Sequence, residues 1–172
     1  MQRRRECLVN LLMNNRSDSV DIPNSNATSS MRLFRRGSFD FAVLESEIAT
    51  VADWRDPAPL PRAPESVMGV VGIQGRMLTV LDLATLPGSE SSLTAGSPKQ
   101  IVALRGDEQL ALAVDSVGDT VEIGSDGLQN DQQDSRLIRG VFEQSGKKIS
   151  LLDVKQLFPS AIHGRERRHR RF

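Results

Sequence analysis

The 172-residue chain has no tyrosine, one cysteine, one tryptophan and two histidines. These shortages exclude several kinds of protein. A lone Cys7 supports no intrachain disulfide framework and fits a reducing, cytoplasmic setting. Both histidines, His163 and His169, fall in the C-terminal tail, so residues 31–160 contain neither His nor Cys. That body therefore lacks the usual general bases, nucleophiles and soft metal ligands, and no cofactor or metal is expected. Its serines cluster in loops without a histidine partner. There is no Walker A pattern and no GxGxxG after a strand. Gly69, Gly72 and Gly75 precede a strand rather than a helix, so turn geometry explains them better than phosphate binding. No apolar run approaches the ~18 residues of a membrane span. The opening MQRRRECLVNLLMNN pairs arginines with a short apolar patch, but Asn10 interrupts it and no small-x-small cleavage site follows. It reads as a leader rather than a signal peptide.

Net charge is zero but unevenly spread. Residues 31–160 hold 13 bases and 18 acids, while the tail from 161 to 172 carries five arginines against Glu166. An acidic body argues against a nucleic-acid groove, which needs a basic face. The tail, HGRERRHRRF, has the charge to hold RNA, DNA or an acidic membrane, but its only aromatic is Phe172. A solubilising, loosely electrostatic tail is the simpler reading.

What the chain does have is a repeat. GVVGIQGRMLTVLDL (69–83) and GVFEQSGKKISLLDV (140–154) share Gly-Val, a second glycine, a base and an apolar run closed by Leu-Asp, at an offset of 140 − 69 = 71. A glycine turn feeding an apolar run predicts a hairpin strand in each copy. The repeat extends further. MRLFRRGSFDFAV (31–43) predicts a hairpin turning at Arg36-Gly37-Ser38, and IVALRGDEQLALAVD (101–115) predicts one turning at Gly106-Asp107. Ile48, Thr50 and Val51 predict a short strand answered by Thr120-Val121. DPAPLPRAPE (56–65) holds four of the eight prolines and reads as a stiff surface connector, a place that NDQQDSR (130–136) takes in the second half. Residues 14–30 are rich in Asn, Ser and Asp and read as a linker, and residues 87–99 as a polar loop. Val154–Leu157 begins a short helix that Pro159 is expected to stop.

The expected organisation is a leader over 1–30, a folded body over 31–160 and a basic tail over 161–172. Short strands at this spacing, with glycine turns, predict an all-β fold of small barrels. Asp82 and Asp153 end equivalent strands, and Asp115 lies near the end of another. A glycosidase-like carboxylate pair is one reading. A turn or cap repeated in each half is the better one. Trp54 stays open between a partner anchor and a residue packed over a barrel edge.

Residues 31–157 resemble the CheW-like domain, the chemotaxis coupling module. The resemblance rests on FAV followed by IATV, LPRAPESVMGVVGIQGRMLTVLDL, IVALRGDEQLALAVDSVGDTVEI and LIRGVFEQSGKKISLLDV, in the family's order and spacing over about three-quarters of the chain. It implies two SH3-like five-stranded β-barrel subdomains sharing a core, with a short C-terminal helix. It also implies a non-enzymatic adaptor coupling the cytoplasmic tip of chemoreceptors to the regulatory domain of a CheA-type histidine kinase. With neither a receiver domain nor a kinase core attached, the likeness is to a stand-alone adaptor, peripheral to the membrane through receptors only. Carried over by position, the kinase-binding residues are Thr50, Gly69, Gln74 and Gly75, and the receptor-binding residues are Ile48, Ile101, Val70 and Val117. The family's Asn-Leu-Arg-Gly stands here as Gly72-Ile73-Gln74-Gly75, and Thr50 replaces a frequent Glu. Two charged positions are therefore neutral. The other reading is a β-barrel interaction module outside chemotaxis whose basic tail binds nucleic acid or an acidic membrane surface.

Overall fold

A computed structural model describes residues 28–85, 96–129 and 136–163. The readings of the leader, of most of the polar loop after Leu83, of most of NDQQDSR and of most of the basic tail lie outside the described residues. Ten strands and one helix follow in order: β1 (Thr28–Arg36), β2 (Phe39–Leu44), β3 (Ile48–Asp53), β4 (Val67–Ile73), β5 (Arg76–Leu81), β6 (Gln100–Leu104), β7 (Leu110–Val114), β8 (Ser116–Gly124), β9 (Ile138–Gln144), β10 (Lys147–Leu152) and α1 (Val154–His163). The strands form two five-stranded sheets. One runs β8-β1-β2-β10-β9 and the other β3-β6-β7-β5-β4.

The two halves of the repeat are not the two sheets. The β1–β2 hairpin of the first half pairs with β8, β9 and β10 of the second, while the equivalent β6–β7 hairpin of the second half pairs with β3, β4 and β5 of the first. Each sheet is completed by the other half's hairpin. The exchange happens at two short connections. Only Glu45–Glu47, a single 3-10 turn, carries the chain from β2 in one sheet to β3 in the other, and Asp115 alone joins β7 to β8. At each of these two connections the chain steps to the neighbouring sheet.

Burial on both faces explains why LALAV and QIVAL lack a polar alternation. In β6 and β7, Ile101, Ala103, Ala111 and Ala113 face a core private to their own sheet, with Val71, Ile73, Leu78 and Val80. The alternate residues Val102, Leu104, Leu110, Leu112 and Val114 face a core shared with Phe34, Phe41 and Val43 of the other sheet. Side chains in a strand alternate between faces, so two buried faces give a continuous apolar run. Met31, Ala42, Phe142, Ile149 and Leu151 make the matching private core of the β8-β1-β2-β10-β9 sheet. Ala103, Ala111 and Ala113 lie on the private face of β6 and β7, while Val102, Leu104, Leu110, Leu112 and Val114 supply the shared one.

One expectation is corrected. Pro159 does not stop the helix: α1 runs through it to His163. Val154, Leu157 and Ala161, spaced three and four apart, pack into the shared core, with Leu157 fully buried. That face holds the helix across the one backbone hydrogen bond that proline cannot donate. Among the described residues, β1 takes in Thr28, Ser29 and Ser30 ahead of Met31. Thr28, Ser29 and Ser30 pair with Gly124, Ile123 and Glu122 of β8, so the backbone ladder recruits polar residues that composition had assigned to a linker.

Candidate partner-binding surfaces

The β4–β5 hairpin carries three of the four positions carried over for the kinase. Ile73 pairs with Arg76, leaving Gln74 and Gly75 as a two-residue turn with φ of 49° and 76°. Two successive left-handed residues match the twist of the strands they join, which is why a glycine closes this turn. The second copy repeats it at Ser145 and Gly146, with φ of 52° and 72°. Gln74 and Gly75 are exposed at the tip.

Gly69 lies below that tip and is buried. The proline connector crosses it. Ala58 and Val70 exchange backbone hydrogen bonds of 2.8 and 2.9 Å, and a Cβ on Gly69 would stand 2.3 Å from the Ala58 carbonyl oxygen. Gly69 also holds φ of 146°, which L side chains rarely adopt. Gln129 and Val141 exchange the equivalent pair of bonds in the second half, over Gly140. The Gly-Val of the repeat is thus where a connector docks on a strand. Thr50, half-buried on β3, lies on the opposite edge of the same sheet, with β6, β7 and β5 between it and β4.

The receptor set is more dispersed. Ile48 packs in the shared core, and Ile101 is fully buried in the private core of its sheet. Val70 is half-buried, with its backbone occupied by Ala58. Val117, half-buried on β8, belongs to the other sheet and packs against the shared core. These four do not converge on one open face. Trp54 packs against the private core around Ile101, donates its backbone N–H to the Lys99 carbonyl and its Nε1–H to Asp56 at 3.1 Å. Of its two readings, packing over the barrel edge is the one observed.

The carboxylates are engaged in turns and ion pairs. Asp82 accepts from the Ala84 N–H at 3.0 Å, and Asp153 accepts from the Lys155 N–H at 3.1 Å. The backbone N–H groups of the two also match, donating to the carbonyls of Ser66 and Leu137. The carboxylate-pair reading required these groups open in a cleft; Asp82 instead is 8% exposed and clamped by Arg36.

Arg36 is the residue that sequence reasoning missed. It is 3% exposed at the end of β1, donates to both oxygens of Asp82 at 2.9 and 2.8 Å, and reaches Asp115 at 2.7 Å and the Gly96 carbonyl at 2.6 Å. The Gly37 N–H takes the second Asp115 oxygen at 2.6 Å. The hydrogen bond to Asp82 holds the Arg36 proton more firmly than usual, against the opposing effect of burial. Alternation along β1 contained the signal, since Arg36 shares a face with the buried Phe34 two residues earlier. Among the described residues, no group of three or more His, Cys, Asp or Glu is placed to hold a metal. No described helix is long and apolar enough to cross a membrane.

A model of the CheW-like domain matches residues 30–161. The chain belongs to the CheW-like domain family. Its relatives include the chemotaxis protein CheW of Rhizobium meliloti, 26% identical over 132 residues, covering 74% of this chain and 85% of that protein. The probable chemotaxis protein CheW of Rhizobium etli is 24% identical over 130 residues, covering 73% and 84%. Among solved structures, the scaffolding protein TtCheW from Thermoanaerobacter tengcongensis superposes with a TM-score of 0.67 at 18% identity, over 76% of this chain and 87% of that one. The expected fold is therefore the observed one: two five-stranded, SH3-like subdomains of the CheW type around a shared core, with one C-terminal helix.

Proposed function

We propose that this chain is a non-enzymatic adaptor of chemosensory signalling that couples chemoreceptors to a CheA-type histidine kinase in the cytoplasm. The observation that carries this reading is the extent of the family match, since residues 30–161 take in nearly every described element from β1 into α1. In this reading the kinase regulatory domain meets the exposed Gln74-Gly75 turn, with Gly69 setting the strand beneath it and Thr50 marking the far edge of the sheet. The receptor tip meets the region around Ile48, Ile101, Val70 and Val117. Ile48 and Ile101 are interior, so they act by fixing the strands that present the surface above them. No chemistry is needed. An adaptor transmits a signal when its two contacts differ in affinity between the on and off states of the assembly.

Neutral Thr50 and Gln74 make the kinase contact less ionic than in family members that carry Glu and Arg there. The test is binding of the full chain to its cognate kinase regulatory domain and receptor tip, across a salt series and with residues 161–172 deleted. The adaptor reading expects retained binding without the tail and a shallow salt dependence. Loss of every partner on deleting the tail would favour a tail-driven binder of nucleic acid or an acidic membrane instead.

A further inference from the structure

The two hairpins of the repeat differ at one cross-strand pair. In the second copy, Glu143 of β9 stands opposite Lys148 of β10, and both are exposed. Opposite charges side by side are an ordinary filling for a solvated sheet face. In the first copy the same offset of 71 residues puts Gly72 of β4 opposite Met77 of β5. Among the described residues, Met77 is the most exposed of the large hydrophobic side chains, at 60%. A bare apolar side chain where the other copy carries charge gains its burial energy only against a partner.

Gly72 adds a second, independent observation, because the fold does not require a glycine there. Its φ lies outside the left-handed range, and an added Cβ would meet only Met77 Sδ, at an ordinary 3.8 Å. Gly69, three residues earlier, is by contrast fixed by its φ and by the Ala58 carbonyl. A glycine inside a strand weakens it, and often marks where another backbone or a ligand comes close. Ile73 and Leu78 face the private core, so Gly72 and Met77 share the other face of the hairpin. Beside them, the turn at Gln74 and Gly75 is set by two left-handed residues and is exposed. Arg76, the base of this tip, reaches across to the Gly106 carbonyl at 3.4 Å. The first hairpin therefore presents an apolar knob beside a bare stretch of backbone, on a turn without charge.

We propose that Met77 is the apolar anchor of the kinase contact, an inference that rests on the adaptor reading and deepens it. Met77 enters an apolar pocket of the kinase regulatory domain, and the partner's backbone closes over Gly72. A few well-packed side chains carry most of the energy of an interface, and methionine fills pockets of irregular shape. In this chain the anchor takes over from the ionic contact that neutral Thr50 and Gln74 do not make. The Glu143–Lys148 position of the second hairpin has no such role.

The experiment is calorimetric titration of the full chain with its cognate kinase regulatory domain. Met77→Ala is expected to weaken binding about tenfold, and Met77→Lys, which copies the second hairpin, by at least as much. Met77→Leu keeps an apolar side chain of similar volume and should stay within about threefold of the unmodified chain. Gly72→Val fills the gap with a good strand former and should weaken binding about fivefold without lowering the unfolding temperature. Lys148→Ala should stay within about twofold, as expected of a surface charge outside the contact. Unfolding temperatures of the Met77 variants should match that of the unmodified chain, since this side chain is exposed. Binding by Met77→Ala or Met77→Lys at the unmodified affinity overturns the inference and leaves the adaptor reading standing. A loss on Met77→Leu as large as on Met77→Ala also overturns it, because an apolar pocket would accept leucine. Should a Met77 variant fail to fold, Gly72→Val decides, and full affinity there overturns the close approach. An unmodified chain that does not bind the kinase domain at all overturns the adaptor reading, and this inference with it.

Discussion

Arg36 and Asp82 stand 46 residues apart in sequence and on different sheets, yet they meet in a buried two-bond fork, Nε to Oδ1 at 2.9 Å and Nη2 to Oδ2 at 2.8 Å. Arg36 ends β1 of one sheet, and Asp82 follows β5 of the other. Asp115, the single residue that carries the chain from β7 back to the first sheet, takes the remaining face of the same guanidinium at 2.7 Å. One side chain therefore ties the end of β1 to the end of β5 in the other sheet and to the β7–β8 crossing. Any adaptor whose two partners bind different parts of the body needs those parts held in one geometry, and this clamp sits where they join.

Removing Arg36 strands two carboxylates, one of them buried. Arg36→Met keeps the bulk but removes the charge, and is expected to cost about 3–5 kcal/mol, the range for breaking one side of a buried pair. Denaturant unfolding measures it. A loss under about 1 kcal/mol would mean that the clamp contributes no more than a surface pair.

Asp82 and Asp153 are equivalent in the repeat but differ in burial. Asp82 is clamped in the interior, whereas Asp153 faces Arg139 at 3.4 Å with 26% of its side chain exposed. Asp82→Asn is expected to cost about 2–4 kcal/mol, because Arg36 loses a charged acceptor in a buried site. Asp153→Asn should cost under about 1 kcal/mol, since the exposed pair is screened and its capping bond from Lys155 survives. Equal costs in parallel unfolding curves would show that the repeat, and not burial, sets the role.

Much of this was legible in the sequence. Both hairpins, the strand around Thr50, the proline connector and the equivalence of Asp82 with Asp153 all followed from turn chemistry and an offset of 71, because those signals are local. The exchange of hairpins between halves was not legible. It depends on which sheet the chain enters after β2 and after β7, which no strand's own pattern records. Arg36 was hidden for a related reason, since an arginine beside a turn glycine is usually solvated. Pro159 misled because local propensity says nothing of the core that Leu157 and Ala161 enter. Of the candidate surface, the Gln74-Gly75 turn was visible as a turn, while the burial of Ile48, Ile101 and Gly69 required the fold.

The two Gly-Val glycines are equally distinct. At Gly69, an added Cβ meets the Ala58 carbonyl oxygen at 2.3 Å and the backbone holds φ of 146°. At Gly140, the nearest atoms are Leu128 Cδ2 at 3.0 Å and the Gln129 oxygen at 3.2 Å, with no such φ. Gly69→Ala should therefore cost about 3 kcal/mol or more through strain and overlap, and Gly140→Ala about 1 kcal/mol. Thermal unfolding of the two variants ranks them. The reverse order would contradict the account of how the connector docks.

Gln74 tests the proposed kinase contact. It stands exposed at a turn tip, so Gln74→Arg adds a charge without disturbing the core. Surface charges more than a Debye length apart are screened, and that length shrinks from ~10 Å at 0.1 M salt to ~3 Å at 1 M. Binding of the unmodified chain to the cognate kinase regulatory domain is expected to change by no more than about twofold over that range, because neither Thr50 nor Gln74 carries charge. Gln74→Arg combined with Thr50→Glu should make the same binding fall by about fivefold or more as salt rises, since a rim charge shows itself mainly in salt dependence. A double variant whose salt series superimposes on that of the unmodified chain would put the kinase contact elsewhere on the molecule.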